Sequence, residues 1–226
     1  MNIPIWDAYA IRYAKVKRRR IENFISHDLH DVATQMDYFV WFLKNDQETI
    51  LVDTGFNEAA AQLRNREYLR CPIESLKNTG VQLEDLKDVI ITHAHYDHAG
   101  NTRLLKNAHF HIQEREMSYA TGPEMRHAFC RHAYDANDVC DLVYANFEDR
   151  VRFHEGAFEL RSGIEVHWVG GHTRGLQIVR VHTKRGWIVL ASDAAHYLEN
   201  FLNRSPFPIV SDVGDMLRGY DLIQSL

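Results

Sequence analysis

Four side chains able to bind a metal ion fall within six residues in His93-Ala94-His95-Tyr96-Asp97-His98. Residues two apart on an extended chain point the same way, so His93 and His95 can face one ion where a strand gives way to a loop. Asp97 continues that period, whereas His98 breaks it and points elsewhere, as a second ion a few ångströms away requires. Imidazole nitrogen and carboxylate oxygen suit zinc at about 2.0–2.2 Å, and paired-metal hydrolases hold their ions about 3.5–4 Å apart. Two more candidates lie far along the chain. His172 sits in Gly170-Gly171-His172-Thr173-Arg174-Gly175, whose glycines permit a tight loop around the imidazole, and Asp193 directly follows the run Trp187 to Ser192. His93 alone would read best as an ordinary core or surface residue; the whole set, gathered at strand ends, reads as a metal site. His27, His30, His109, His111, His127, His132, His154, His167 and His182 lie in ordinary surroundings and are read as structural.

The elements that must carry these residues follow from periodicity. Tyr38 to Leu43 and Thr49 to Val52 are aromatic and β-branched runs flanking the polar segment Lys44 to Glu48, which reads as a hairpin. Glu58 to Leu69 has apolar residues at helical spacing, a short helix follows Pro72, and Leu83 to Leu86 adds a turn. Val89 to Thr92 is a compact buried strand that delivers the chain into the histidine cluster. Asn101 to Leu105 and Glu114 to Ala120 read as helical, with Ala108 to Gln113 a strand between them. Thr121 to Phe147 mixes aromatics, charges and helix formers, and is read as one or two short helices forming a substrate-covering excursion. Strands return at Val151 to His154, Glu165 to Val169, Gln177 to His182 and Trp187 to Ser192, the last pair joined by a turn at Thr183 to Gly186. Strands before and after helices imply a layered α/β domain. No repeat or Pro/Gly-rich linker divides the 226 residues, so a single domain over 1–226 is expected.

Composition is ordinary apart from 14 histidines: 45% hydrophobic and 25% charged, with a formal charge of -5. That charge disfavours nucleic acid as a partner, and the run Lys15, Lys17, Arg18, Arg19 and Arg20 is read as a solvated strand edge guarded against edge-to-edge pairing. Cys71, Cys130 and Cys140 are odd in number without C-x-x-C spacing, which indicates neither a disulfide framework nor a thiolate zinc site and suits a reducing interior. No apolar stretch approaches a membrane span, so a cytoplasmic protein is expected. Oligomeric state is open, a homodimer included.

The cluster at His93 resembles the H-x-H-x-D-H signature of metallo-β-lactamase-fold hydrolases, and Asp53-Thr54-Gly55, Gly171-His172 and Ser192-Asp193 follow in that family's order. The resemblance covers nearly the whole chain. It implies an αββα sandwich with one zinc on His93, His95 and His172, a second on Asp97 and His98, and Asp193 bridging both, while Asp53 orients a ligand imidazole. Asp193-Ala194-Ala195, Glu199-Asn200-Phe201, Asn203 and Pro206-Phe207 are similar to the corresponding segment of N-acyl-homoserine lactone lactonases. Two departures stand out. Those lactonases place a tyrosine three residues after the bridging aspartate, where it contacts the substrate carbonyl; here His196 holds that position, open between the same contact and a surface histidine at a helix start. The family also takes a histidine from a later G-H-D-like segment, so Asp212 to Leu226 reads as the helix before it and the last C-terminal elements are expected to be lacking.

The resemblance implies that a zinc-bridging hydroxide opens a small lactone, with Asp97 carrying a proton to the leaving alkoxide. Two zinc ions are expected, the second site one ligand short; iron, manganese or cobalt would accept the same donors. The rivals are thioester hydrolysis of the glyoxalase II type and a non-catalytic zinc-binding member of the fold, with β-lactam cleavage ranked below them for want of a signal peptide. Pocket walls are expected from Tyr9 to Phe24 and Thr121 to Phe147.

Overall fold

The computed structural model describes residues 3–26 and 31–226, so His27 and His30 lie outside the described residues. The long strand β1 (Asp7–Arg19) pairs antiparallel with β2 (Ala33–Lys44), which turns back into β3 (Thr49–Val52). The turn is tight because the Asn45 side chain accepts the backbone N–H groups of Gln47 and Glu48 at 2.8 and 2.9 Å. Helix α1 (Glu58–Leu63) starts at Asn57, whose side chain caps Ala60 N–H. The apolar spacing predicts that this helix runs to Leu69, but Asn65 adopts φ 52° and ends it, and β4 (Glu67–Tyr68) joins β1 instead. Then come α2 (Pro72–Ser75), β5 (Asp88–Ile90), α3 (Tyr96–Ala99), β6 (His109–Gln113) and α4 (Glu114–Ala120). The excursion at 121–147 comprises a 3-10 turn at Pro123–Arg126, α5 (Ala128–Arg131) and α6 (Ala136–Phe147), the last longer than the sequence suggests. β7 (Val151–His154) is followed by β8 (Phe158–Arg161), a strand the sequence reading lacks, then β9 (Ile164–Trp168), β10 (Gln177–Thr183), β11 (Gly186–Leu190), α7 (Leu198–Leu202) and α8 (Val213–Ser225).

The strands form two sheets, ordered β4-β1-β2-β3-β5-β6-β7 and β11-β10-β9-β8. Alternation along each strand decides which layer a side chain enters. Leu51 and Val89 face the helices that carry Val139 and Leu142, whereas Ile50, Val52 and Ile90 face Ile164, Val166, Val179 and Val181 of the second sheet. On the outer side of that sheet Ile178 and Val189 pack against Leu222 and Ile223 of α8. The result is an αββα sandwich.

Topology then gathers the chemistry. β3 and β5 run parallel, and β9 and β11 are both antiparallel to β10, so each pair ends at one edge of its sheet. Asp53, His93, His172 and Asp193 all follow such ends, the usual place for ligand sites in α/β sheets. Gln177, fully buried, fastens the two sheets beside that edge: its Nε2 donates to the carbonyls of Ile91 and His111 at 2.9 and 3.0 Å.

The basic run is a solvated edge only in part, with Lys17 and Arg19 exposed and the others engaged. Lys15 pairs with Glu67 at 3.0 Å, Arg20 with Glu199 at 2.7 Å, and Arg18 lies over the Phe207 ring at 4.8 Å. A further polar stitch joins the sheets elsewhere: His111 Nε2 meets Asp88 at 2.8 Å, Arg161 of β8 reaches Asp88 and Glu48, and His154 stacks flat on Phe158 at 3.5 Å.

Burial and the neighbouring His111 imidazole lower the His154 pKa from 6.5 to about 4. The folded value lies below the unfolded one, so His154 contributes stability above pH 6.5 that is lost as pH falls through about 4. His154→Phe keeps the stack on Phe158 and removes the titration. Melting temperatures across that window fall less steeply for the variant than for the parent; equal slopes refute the assignment.

Candidate metal centre

Each ligand-type side chain identified in the sequence reaches the same edge of the sandwich. His93 Nε2 lies 2.9 Å from His95 Nδ1, which lies 2.9 Å from His172 Nε2. Asp193 spans the centre: its Oδ2 is 3.2 Å from His172 Nε2 and 3.8 Å from His93 Nε2, and its Oδ1 is 3.2 Å from His98 Nε2. The donors separate into two sets, His93, His95, His172 and Asp193, and Asp97, His98 and Asp193, each within 4.8 Å. These are the two sets that the resemblance would assign to two ions, brought close here by a local geometry other than the strand period. The chain turns helical at Tyr96, so Asp97 leaves the extended period and sits beside His98 on α3.

Around these donors the hydrogen bonds are one-sided. His172 Nδ1–H donates to the Ile209 carbonyl at 2.6 Å, leaving Nε2 as a lone pair aimed at the centre. His98 Nδ1 is held by Asp53 Oδ2 at 2.7 Å, and Asp53 is fixed in turn by the N–H and hydroxyl of Thr92 at 2.7 and 2.8 Å. Burial, then the adjacent His98 and His95 imidazoles, hold His93 well below the usual histidine pKa; burial and His172 do the same for His95. Burial also pulls His98 down, but the carboxylates of Asp193, Asp53 and Asp97 outweigh it and raise its pKa. Burial raises Asp97, whereas His196, His98 and His172 overcome burial and keep Asp193 well below the carboxylate range. Ring nitrogens facing one another across 2.9 Å, with His95 Nδ1 set between His93 Nε2 and His172 Nε2, suit divalent cations, whose tetrahedral nitrogen ligands at about 2.0–2.1 Å lie about 3.3 Å apart.

His196 is not at the surface. Its side chain is 8% exposed, its Nε2 is 3.0 Å from Asp193 Oδ2, and its ring stacks on Phe207 at 3.9 Å. Two clefts open on either side of the centre. One, of about 280 Å3, runs past Tyr13, Tyr38, Trp41, Asp97, Asp193 and His196. The other, of about 170 Å3, is floored by His95 and His172 and walled by Phe129, Cys130, His132 and Ile209. The expected wall segments thus supply Tyr13, Glu124, Phe129, Cys130 and His132, while much of the first cleft comes from β2 and the segment 189–196.

The residue that sequence reasoning missed is Glu116. Fully buried, it accepts Ala94 N–H (2.9 Å) and Tyr134 O–H (3.0 Å) on one oxygen, and Thr173 O–H (2.6 Å) and Gly175 N–H (3.0 Å) on the other. It therefore ties the loop of His93 and His95 to the loop of His172. The approach is so close that a Cβ at Gly175 would fall 2.3 Å from the Glu116 backbone nitrogen. Its sequence signal is a carboxylate on the apolar stripe that Met117 and Ala120 mark along α4. Tyr13 is a second such support, donating its hydroxyl to the Asp97 carbonyl at 2.8 Å. Because all four partners of Glu116 are donors, Glu116→Gln turns an NH2 group against two of them, at about 1–3 kcal/mol for each buried group left unmet. Zinc titration of that variant shows affinity weakened about 10–100-fold; unchanged affinity refutes the coupling.

Comparison with known proteins agrees with the geometry. The model of the metallo-beta-lactamase superfamily matches residues 33–224. An N-acyl homoserine lactonase of a Bacillus species is 30% identical over 189 residues, covering 76% of this chain and 70% of that one. The crystal structure of a quorum-quenching N-acyl homoserine lactone lactonase superposes over all of this chain and 88% of its own, with a TM-score of 0.82 at 23% identity. A dizinc quorum-quenching lactonase in complex with a product superposes over all of this chain and 84% of its own, with a TM-score of 0.75 at 16% identity. The chain belongs to the metallo-beta-lactamase superfamily.

Proposed function

We propose that this chain is a zinc-dependent lactonase that opens N-acyl homoserine lactones, the activity for which its Bacillus relative is named. The observation that carries the reading is Asp193, whose two oxygens face two separate donor sets on the wall of the larger cleft. His93, His95 and His172 would hold one zinc, Asp97 and His98 the other, and Asp193 both, within a single catalytic domain. Bound there, zinc lowers the pKa of water to near 7 and polarises a carbonyl.

The chain's own groups then have defined tasks. His196 Nε2–H, which lies 3.0 Å from Asp193 Oδ2 on the wall of the larger cleft, shares its hydrogen bond with the lactone carbonyl oxygen, in the position where the lactonases carry a tyrosine hydroxyl. Asp97, whose pKa burial raises, takes the proton that water loses on adding to the carbonyl carbon. As the ring C–O bond breaks, Asp97 passes that proton to the departing alkoxide, and a hydroxy acid is left. Asp53 and Glu116 hold the loops in register throughout.

Asp97→Asn keeps the size of the side chain but cannot carry the proton, and lowers kcat on a lactone panel about 10²–10⁴-fold in zinc-loaded protein. His93→Ala loses both zinc and turnover. Full activity in either variant rejects these assignments. The same preparation assayed on glutathione thioesters separates the rivals: a clear preference for thioesters replaces the lactone reading, and no turnover on either panel favours a non-catalytic metal protein.

A further inference from the structure

Arg174 and Glu124 stand where the cleft on the His95 and His172 side borders a second groove, and line both. Arg174 Nη2 lies 2.9 Å from Glu124 Oε1, and the same guanidinium covers the Tyr119 ring 5.2 Å from its centroid. Beyond it runs an open groove of about 700 Å3 past Trp168, bounded by the same Tyr119, Glu124, Arg174 and Ser211 that line the inner cleft. At about 170 Å3 the inner cleft is smaller than an ordinary small-molecule site of about 300–1,000 Å3; joined to the groove it is not. The backbone cannot move to join them, since Thr173 and Gly175 on either side of Arg174 are both bonded to buried Glu116. The Arg174 side chain can: it is 60% exposed, and exposed ion pairs hold weakly.

We infer that the Arg174–Glu124 pair is a length-selecting clasp, ending the acyl subsite after a short chain and admitting a long one only when it opens. The inference rests on the lactone reading above. With the leaving alkoxide beside Asp97, the substituent across the scissile carbonyl points toward His95 and His172 and so into the inner cleft. Phe129, Ile209 and Val210 give that cleft apolar walls suited to methylene groups. Removing the guanidinium does two things at once, opening the way to the groove and baring the face of Tyr119, against which further methylenes can bury.

The test measures binding rather than turnover. Ring-opened N-acyl-homoserines from butanoyl to dodecanoyl are titrated calorimetrically into zinc-loaded wild type, Arg174→Ala, Glu124→Gln and, as a control, Arg115→Ala, whose guanidinium lies over Trp168 at 4.5 Å in the outer groove. Wild type binds butanoyl and hexanoyl forms more tightly than dodecanoyl. In Arg174→Ala the ratio of dodecanoyl to butanoyl affinity rises about tenfold or more, since each methylene newly buried adds several-fold. Glu124→Gln moves the ratio the same way by less, and Arg115→Ala leaves it as in wild type. An unchanged ratio in Arg174→Ala, a wild type that binds all lengths alike, or no binding of any length overturns the clasp. Length-dependent binding by a wild type that opens no lactone instead sinks the lactonase reading and leaves the clasp standing.

Discussion

His93, His95, His98 and His172 are each 5% exposed or less, and their ring nitrogens face one another and the carboxylates of Asp53, Asp97 and Asp193. Lone pairs at that spacing repel, and polar groups shut away from water without partners cost several kcal/mol each. The pair of cations proposed for this site would resolve both problems, and the surrounding groups are placed as such ions would require. One ring nitrogen of His172 is tied to a backbone carbonyl so that the other is free, and His98 leans on Asp53 in the same way. Asp193 is set between the two groups, where a carboxylate with two usable oxygens is the natural bridge.

Such an arrangement needs four loops from two sheets held to within a fraction of an ångström, and buried polar side chains supply that precision. Glu116 fixes the loop of His93 and His95 to the loop of His172; Gln177 fastens β10 to the carbonyls of β5 and β6; Thr92 and Asp53 link the ends of β3 and β5. Apolar packing brings the sheets together without direction. These bonds set the register, because each has a fixed length and a fixed donor. Arg18, Phe207 and His196 continue the pattern outward, so a residue from a basic surface run comes to support the wall of a cleft.

What the sequence disclosed and what it withheld follow from the range of the interactions involved. The cluster of donor side chains is legible because four of its members are neighbours in the chain and the others stand at the ends of clear apolar runs. Strands before and after helices imply a layered α/β domain, and the resemblance to the metallo-β-lactamase fold is what makes that layering an αββα sandwich. The helix from Glu58 was overextended because apolar spacing persists past Leu63, while the stop depends on the left-handed conformation of Asn65. β8 escaped notice since Phe158 to Arg161 is short, and its place is set by pairing with β9. Glu116 shows only as a carboxylate on the apolar stripe of α4: its partners include backbone N–H groups 22 and 59 residues away, and no local pattern announces them.

Anomalous diffraction at the zinc edge from crystals of the zinc-loaded protein tests the central claim most directly. Two peaks about 3.5–4 Å apart are expected, one among the nitrogens of His93, His95 and His172, the other beside Asp97 and His98, with Asp193 between them. No peak at saturating zinc, or a lone peak away from these residues, would show that the buried imidazoles gather for some reason other than metal.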